Sequence, residues 1–326
     1  MRVPVILVTG ADGQLGRSLQ ALAKQQPLAA HYVFATRQHM DLGNEASIVR
    51  FLDQHPADCL INAAAYTAVD QAASHPEQAT AINAQGPQWL AQQCAARHTR
   101  LLHVSTDYVF DGQLYRPYQE TDTPAPLNTY GRSKWEGEQA VMAADSRAIV
   151  VRTSWVFSAW GANFVRTMLN LASRQTSLRV VDDQIGNPTW AGHLAQALHR
   201  LALHVITSDE ATQASTHRTS TPTSTAPITD GVDAFNRIYH FCGTPTVSWK
   251  GFAEEIFRQA QASKMLAGIP TVQPVSASQW PSPEPRPANS RLDCSRIEAL
   301  LGPVERDWRL GLAQVLQTLH TKPGTN

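Results

Sequence analysis

A tyrosine and a lysine, Tyr130 and Lys134, stand four positions apart at the start of a stretch with helical periodicity. Residues i and i+4 lie on one face of a helix, so both side chains can point into one small volume. A phenol with a pKa near 10 is a weak acid at neutral pH, and a neighbouring ammonium favours the phenolate and lowers that pKa. The pair is therefore a candidate proton donor with its own activator.

A polar strand end is expected opposite this pair. The hydrophobic run 101–104 predicts a buried strand, and it ends in Ser105, Thr106 and Asp107, followed by Tyr108. A proline-rich loop then leads to the helical stretch that carries the tyrosine and the lysine.

A glycine-rich turn follows the first predicted strand, 3–8, and precedes an amphipathic helical pattern. Strand, glycine turn and helix are the context that a dinucleotide fingerprint requires. Gly10 permits the tight turn, Gly13 lets the backbone approach a pyrophosphate, and Gly16 lets the helix pack closely. The alternative is a glycine-rich turn of another α/β protein. The cofactor-binding candidates here are Gly10, Asp12, Gly13, Gln14, Leu15 and Gly16.

The second predicted strand, 31–35, ends in Thr36 and Arg37. NAD-preferring sites usually carry an acid at this point to bind the ribose. Arg37 can instead pair with a 2′-phosphate, which favours NADPH. In the alternative, Arg37 is a surface residue and Asp41 reaches the ribose or adenine, which leaves NADH open. Cofactor candidates in this region are Arg37, Asp41 and Leu42.

The third predicted strand, 59–61, is followed by Asn62, Ala63, Ala64, Ala65 and Tyr66. Small side chains there leave room for a flat ligand, so the three alanines are further cofactor candidates. A helix is predicted over 76–97, and Asn83 inside it is interpreted as a buried polar brace rather than a catalyst.

Strands and helices alternate, which predicts an α/β fold: a Rossmann-type doubly wound parallel sheet with a smaller C-terminal α+β substrate lobe. The glycine turn and the segments 62–66 and 105–108 all follow strands, and ligands of such sheets bind at the carboxyl ends of strands. We expect an NAD(P)-binding domain over 1–152. Residues 153–326 should form mainly the substrate lobe, with some segments returning to the first domain.

Two segments of the second half differ in composition. Eleven of the 22 residues in 208–229 are Ser or Thr, so we predict a mobile surface insertion there without a catalytic role. The segment 286–292 carries Arg286 and Arg291 around a short polar loop. Such a loop suits a diphosphate, and the alternative is an ordinary loop with solvated arginines.

The bulk composition excludes several partners. The chain has 326 residues, a net charge of zero and 43% hydrophobic residues, as expected of a soluble globular protein that binds neither nucleic acid nor anionic membrane. Its four cysteines are scattered and predict reduced thiols. No run of about 18 apolar residues, signal peptide or metal-spaced His/Cys cluster occurs, so we expect a cytoplasmic protein.

Four motifs stand in a characteristic order: Thr9-Gly-Ala-Asp-Gly-Gln-Leu-Gly16, Asn62-Ala-Ala-Ala-Tyr-Thr-Ala-Val-Asp70, Ser105-Thr-Asp-Tyr-Val-Phe-Asp-Gly112 and Tyr130-x3-Lys134. Together they resemble the extended short-chain dehydrogenase/reductase superfamily, and within it the dTDP-4-dehydrorhamnose reductases. The segments 152–157, 183–189 and 286–292 look like the same family. The resemblance spans nearly the whole chain apart from 208–229.

The resemblance implies the last step of dTDP-L-rhamnose synthesis, in which a hydride passes from NADPH or NADH to the C4 keto carbon of dTDP-4-dehydro-L-rhamnose. It implies that Tyr130 protonates the C4 oxyanion, that Lys134 lowers the tyrosine pKa and holds the nicotinamide ribose, and that Thr106 binds the same substrate oxygen. The implied substrate-binding residues are Thr106, Asp107, Tyr108, Trp155 facing the sugar, and Asn163 and Arg286 on the diphosphate side.

The chain departs from the family pattern in its acidic residues. Some members bind magnesium through acids at a dimer interface, whereas the stretch 190–193 here reads Trp-Ala-Gly-His. We therefore expect no protein-bound metal and no magnesium-dependent dimer, and a homodimer of another kind stays open.

Two other functions were weighed against reduction. A nucleotide-sugar epimerase or 4,6-dehydratase shares the fold, but dehydratases of this type need a second acid where this chain has Tyr108. A non-catalytic binding subunit of a methionine adenosyltransferase would need no proton donor, so an intact set of Thr106, Tyr130 and Lys134 argues against it.

Overall fold

The protein was analysed as a computed structural model that describes residues 2–25, 29–216, 237–280 and 282–321. The strands are β1 (Val5–Thr9), β2 (His31–Ala35), β3 (Cys59–Asn62), β4 (Arg100–Thr106), β5 (Ile149–Thr153), β6 (Val156–Phe157), β7 (Ser177–Val181), β8 (Ile185–Gly186), β9 (Thr189–Trp190), β10 (Ile238–His240), β11 (Val247–Ser248) and β12 (Thr271–Val275). The α-helices are α1 (Gln14–Gln25), α2 (Glu45–Gln54), α3 (Val69–Ala72), α4 (Pro76–Thr80), α5 (Gly86–Ala96), α6 (Thr129–Ala144), α7 (Phe164–Ala172), α8 (Ala191–Thr216), α9 (Trp249–Ala262), α10 (Ser295–Leu301) and α11 (Trp308–Thr321).

Six parallel strands form the central sheet, in the order β10-β5-β4-β3-β1-β2. Parallel strands are stable when both sheet faces are covered, which their continuous runs of apolar residues reflect. One face packs against α1 and α8, and the other against α2 and α5. The predicted doubly wound sheet is confirmed, and the carboxyl ends of β1, β3 and β4 lie side by side.

A second hydrophobic core holds the smaller lobe together. It is built from α7, α9 and α11 with β7, and the two-stranded pairs β12-β7, β11-β8 and β6-β9 complete the lobe. The helices α8 and α10 and the strand β10 belong instead to the core of the larger half. The division near residue 152 stays our proposal for the domain boundary.

The largest difference from the sequence prediction lies at the C-terminal end of α8. Residues 208–216 were predicted to belong to a mobile insertion, but they continue the helix to Thr216. Arg100 on β4 explains part of this extension, because its Nε donates to the Asp209 carboxylate at 2.6 Å and anchors an additional turn. The remainder of the predicted insertion, 217–229, lies outside the described residues.

The helix predicted over 76–97 is interrupted by one π-helical turn at Ala81–Gln85, which separates α4 from α5. The short helices α3 and α10 were not predicted. Within the described ranges, every helix is too short or too polar to cross a membrane.

Candidate active site

The glycine turn places helix α1 directly at the end of β1. Gly10 has a φ of +65°, and a Cβ at this position would lie 2.8 Å from the Ala64 backbone, so only glycine fits. The first N–H groups of α1 have no partner within the helix and face outward from this turn, as an anion requires. The side chain of Leu15 is in the core, which leaves only its backbone for a ligand.

Two residues of this predicted cofactor set have other bonds. Gln14 accepts hydrogen bonds at Oε1 from the Ser158 hydroxyl and from Asn163 Nδ2, both at 3.0 Å, and so links α1 to the smaller lobe. Asp12 contributes its carbonyl oxygen to Arg17 Nε at 3.0 Å. Their backbone groups remain at the turn, so both stay candidates through the main chain.

Arg37 follows β2 and has an exposed guanidinium. Its Nε lies 3.7 Å from Asp41 Oδ1, so the two alternatives that the sequence left open for the ribose are adjacent in space. Leu42 is buried in the core between α2 and α5, and its side chain is therefore unable to contact a cofactor.

The end of β3 carries a buried polar chain that the sequence reading missed. The Thr9 hydroxyl donates to Asn62 Oδ1 at 2.7 Å, and Asn62 Nδ2 lies 2.9 Å from His103 Nδ1. His103 Nε2 lies 3.5 Å from Lys134 Nζ. His103 lies on β4 and was not among the predicted site residues.

Lys134 is buried and donates from Nζ to the Val104 carbonyl oxygen at 2.8 Å. Burial lowers its pKa to about 8, while the nearby Glu138 carboxylate acts in the opposite direction. Burial and the Lys134 charge both lower the pKa of His103 well below its ordinary value. At neutral pH His103 is therefore neutral, whereas Lys134 is still mostly an ammonium but gives up its proton more easily than an exposed lysine.

Tyr130 shows the opposite of the predicted shift. Burial raises the pKa of its phenol, and the Asp107 charge raises it further, whereas a hydrogen bond with the Thr106 side chain lowers it. The net shift is upward because the removal of water from the phenolate outweighs the neighbouring groups, and the expectation that Lys134 lowers this pKa stays a prediction. The phenol is consequently protonated at neutral pH.

Thr106, Asp107 and Tyr108 surround the Tyr130 ring as predicted. The Thr106 hydroxyl donates to Asp107 Oδ1 at 3.0 Å, and the Tyr108 ring lies edge-on to that of Tyr130 with centroids 5.6 Å apart. Burial raises the pKa of Asp107 to about 7, and hydrogen bonds with Ser290 and Thr106 moderate the rise. Ser290 was not among the predicted site residues, although it lies in the segment 286–292.

Polar contacts hold helix α6 in place around Tyr130 and Lys134. Asn128 caps it by accepting from Gly131 N at 2.7 Å. Asn83 is fully buried and donates from Nδ2 to Ser133 Oγ and to the Tyr66 carbonyl oxygen, both at 3.0 Å. Its interpretation as a brace agrees with these bonds. A Cβ at Gly137 would overlap the Asn83 carbonyl oxygen, so α6 touches the π-helical turn directly.

A buried ion pair lies one turn beyond Lys134. Arg152 donates from Nη2 to Glu138 Oε2 at 2.6 Å and from Nε to Oε1 at 2.9 Å, with both side chains almost wholly buried. The guanidinium also lies over the Phe110 ring, 5.0 Å from its centroid. Because the pair joins α6 to β5, it fixes the rotation of the helix that carries Tyr130 and Lys134.

A cavity of about 510 Å³ opens in the smaller lobe. Its walls are mostly apolar, with a few polar groups at one end. The lining includes Phe164, Met168, Leu178, Trp249, Glu284 and Arg286.

The polar end of this cavity adjoins the proton donor. The Thr129 backbone N–H, next to Tyr130, donates to Glu284 Oε2 at 3.0 Å. Arg286 is close enough to Tyr108 to oppose the rise in the pKa of that buried phenol. Arg286 Nε is buried without a protein partner, so this guanidinium still has a donor for a ligand.

Three residues that were expected at the substrate have structural roles. Asn163 caps α7 by accepting from Arg166 N at 3.2 Å, and its amide nitrogen donates to Gln14, so its predicted diphosphate contact is not supported. Trp155 stacks on Trp249 at 3.5 Å between centroids, and Trp249 is the ring that lines the cavity. Arg291 donates to Asn289 Oδ1 at 2.8 Å, away from the cavity wall.

The described residues contain no group of three or more His, Cys, Asp or Glu side chains that is placed to hold a metal ion.

Sequence comparison places this site in a known context. A family described as the RmlD substrate binding domain matches residues 4–227 and 216–321. The chain is 38% identical over 314 residues to a dTDP-4-dehydrorhamnose reductase of Aggregatibacter actinomycetemcomitans, covering 95% of this chain and 97% of that relative.

Solved structures agree. The fold matches a dTDP-4-dehydrorhamnose reductase of Clostridium acetobutylicum with a TM-score of 0.80 and 33% identity, over 97% of this chain and 99% of that one. It also matches the Bacillus anthracis dTDP-4-dehydrorhamnose reductase in complex with NADP, with a TM-score of 0.79 and 30% identity, over 97% of this chain and all of that one (100%).

Proposed function

Because the chain belongs to the family of the RmlD substrate binding domain, we propose that it reduces the C4 keto group of dTDP-4-dehydro-β-L-rhamnose to dTDP-L-rhamnose with NADPH. The observation that carries this proposal is the set of a half-buried Tyr130 with the buried Thr106 and Lys134, beside a cavity large enough for a nucleotide. A protonated acid next to a cofactor turn is the arrangement that carbonyl reduction needs.

The residues present fit a dinucleotide. The close approach of Gly10 to Ala64 leaves a turn that a side chain would fill, and the N-terminus of α1 offers unpaired N–H groups to a pyrophosphate. No acid follows β2 directly, and Arg37, although 3.7 Å from Asp41, has an exposed guanidinium that can meet a 2′-phosphate, which favours NADPH over NADH. When bound, the cofactor supplies the hydride.

Tyr130 supplies the proton. Its raised pKa keeps it in the acid form at neutral pH, and its bond with Thr106 stabilises the phenolate that is left when the proton moves to the substrate oxygen. The ammonium of Lys134 lies on the same helix face and stabilises this anion while it is charged. Thr106 thus orients the acid and is in position to bind the same oxygen.

The cavity suits the nucleotide half of the substrate. Apolar walls and aromatic rings such as Trp249 favour a base, and Arg286 offers charged donors to a diphosphate. Because Arg286 lies on the Tyr108 side of the cavity, a diphosphate held there brings the attached sugar towards Tyr130.

The site lacks the second acid that dehydration would need. In the dehydratase alternative a carboxylic acid would follow Asp107, and the residue there is Tyr108, whose pKa is raised by burial. All four cysteines are free thiols, and on this ground we place the reaction in the reducing cytoplasm.

The experiment is an assay of purified protein with dTDP-4-dehydro-L-rhamnose and either NADPH or NADH. We expect oxidation of the nicotinamide and a product identified by NMR as dTDP-L-rhamnose, with NADPH preferred. A parallel incubation with dTDP-glucose and NAD⁺ tests the dehydratase. Absence of nicotinamide oxidation in the first reaction, with an active control enzyme alongside, would refute the proposal.

A further inference from the structure

The hydrogen bonds of the polar chain under Lys134 allow the side-chain oxygen and nitrogen of Asn62 to be told apart. Its side-chain oxygen is identified by two donors that point at it: the Thr9 hydroxyl at 2.7 Å and the Ala64 backbone N–H at 3.3 Å. The Ala64 N–H also lies 3.3 Å from Thr9 Oγ1, but an NH₂ group in place of the Asn62 oxygen would set two donors against each other, so we assign this atom as Oδ1 and the other as the NH₂ group. Asn62 therefore presents a donor to His103.

The donor of Asn62 determines the tautomer of His103. Asn62 Nδ2 lies 2.9 Å from His103 Nδ1, and a nitrogen that accepts a hydrogen bond carries no proton. Neutral imidazole has one N–H, which must then be on Nε2. This is the nitrogen that faces Lys134 Nζ, at 3.5 Å.

An N–H and an ammonium are both donors, and they cannot hydrogen-bond to each other. The distances agree with this: Lys134 Nζ lies 2.8 Å from its acceptor, the Val104 carbonyl, but 3.5 Å from His103 Nε2. The positive end of the His103 N–H dipole consequently points at Nζ, and both side chains are buried. His103 disfavours the charged form of Lys134 and favours the amine.

We propose that Thr9 and Asn62 fix His103 as the tautomer protonated on Nε2, and that His103 thereby acts as a positioning residue that destabilises the ammonium of Lys134. The consequence for catalysis rests on the proposed reductase function: after Tyr130 has given its proton to the substrate oxygen, the Lys134 ammonium passes a proton to the phenolate, and the resulting amine takes up a proton from solvent water. No bond other than N–H and O–H changes in this step.

Other ionisable groups near Lys134 are Tyr130 and Glu138 on its own helix, Asp107 beyond the end of β4, Arg152 on β5 and His240 on β10. Glu138 favours the ammonium but is itself paired with Arg152. Tyr130 is protonated at neutral pH, and burial and Arg152 lower the pKa of His240 to about 3. His103 differs from these groups because its Nε2 lies 3.5 Å from Nζ and its Nδ1 is hydrogen-bonded to Asn62.

Asn62→Asp is the informative variant, because aspartate has nearly the same shape as asparagine. It would reverse the direction of the hydrogen bond between residue 62 and His103. A carboxylate at position 62 accepts from Thr9, Ala64 and the imidazole, so the His103 proton moves to Nδ1 and Nε2 becomes an acceptor for Lys134. We expect the lysine pKa to rise by at least about one unit. The added negative charge would raise it too, so the same change is made in a His103→Phe background, where only the charge effect remains.

Two NMR measurements on the full chain decide the proposal without substrate. In protein labelled with ¹⁵N-histidine, His103, identified by its loss in His103→Phe, should show a protonated Nε2 and an unprotonated Nδ1, and the reverse in Asn62→Asp. The chain has 5 lysines, so ¹³Cε titration resolves Lys134. In Asn62→Asp its pKa should rise more than in the double variant.

Three results would overturn the proposal: a wild-type His103 protonated on Nδ1, a charged His103 at neutral pH, or equal lysine shifts in the single and double variants. The wild-type spectrum suffices if Asn62→Asp does not fold. Since none of these readouts uses dTDP-sugar, a protein without reductase activity could still support the relay, and a reductase could still lack it.

Discussion

Arg286 donates from Nη2 to both carboxylate oxygens of Asp70, at 3.1 Å each, across 216 positions of the chain. Asp70 lies on α3, beside the cofactor half, and Arg286 lines the cavity of the smaller lobe. The pair therefore joins the two halves at the side of the cavity nearest the proton donor. A half-exposed ion pair of this kind contributes little to stability, so its position points to ligand binding.

Arg286→Ala should weaken dTDP binding by at least about tenfold, because a charge-assisted hydrogen bond to phosphate is lost. Isothermal titration with dTDP measures this. Asp70→Asn is the matched control: it removes the ion pair but keeps the guanidinium, and binding should be retained. Equal losses in both variants would mean that Arg286 acts only as a strap between the halves.

Tyr130→Phe should lower kcat by at least about a hundredfold with little change in KM, since the general acid is lost while the ring remains. Nicotinamide oxidation under saturating substrate measures the loss. Tyr32→Phe is the control, because its hydroxyl bonds His199 at 2.8 Å on α8, away from the site. A variant with near-normal kcat would remove Tyr130 from its assigned role.

Arg37→Ala should raise KM for NADPH about tenfold or more and leave KM for NADH nearly unchanged, because only NADPH carries the 2′-phosphate. Steady-state kinetics with both cofactors gives the comparison. Arg50→Ala removes a different exposed arginine, on α2, and controls for a general loss of positive charge. If both cofactors are affected equally, Arg37 does not contact the phosphate and the Asp41 alternative gains support.

Buried histidines should make the protein less stable in acid. Burial and Arg152 lower the pKa of His240 from 6.5 to about 3. Below pH 6.5 this histidine is therefore protonated in the unfolded chain but stays neutral in the folded chain. The contribution to stability is complete above the unfolded pKa and is lost as the pH falls towards 3.

Between about pH 7.5 and 5.5 this single group should cost about 1.4 kcal/mol of unfolding free energy. Urea unfolding at the two pH values measures the decrease, which should be smaller by that amount in His240→Gln. His31→Gln, an exposed histidine on β2, should leave it unchanged. An identical pH dependence in His240→Gln and the wild type would contradict the assigned shift.

The parts of the fold that follow from local patterns were predictable from the sequence. β2 has the expected bounds because a continuous apolar run sets them. The start of α2 is likewise marked locally by the cap Asn44, which accepts from Ser47 N at 3.2 Å. The extension of α8 was not predictable, because it depends on Arg100, which is distant in sequence from Asp209.

The residues of the candidate site also divide into those that local patterns predict and those that depend on distant parts of the chain. Tyr130 and Lys134 were found from their spacing, and Thr106 was located at the end of a predicted strand and given its role by the family resemblance. In the structure, Thr106 hydrogen-bonds Tyr130, and Lys134 donates to the Val104 carbonyl oxygen two residues before Thr106. Asn163 was assigned to the substrate because its motif resembles the family, but a polar residue at the start of a helix is equally suited to capping, which is its role here. His103 was missed because a single histidine in an apolar strand has no local signal, and only its neighbours from other strands reveal it.

The contact between Gly137 and the Asn83 carbonyl oxygen also limits which sequences this fold accepts. Any side chain at position 137 would push α6 away from the π-helical turn and carry Tyr130 and Lys134 with it. Position 137 should therefore tolerate no replacement although it never meets the substrate. In a deep mutational scan for activity, this glycine should be as intolerant as the proton donor.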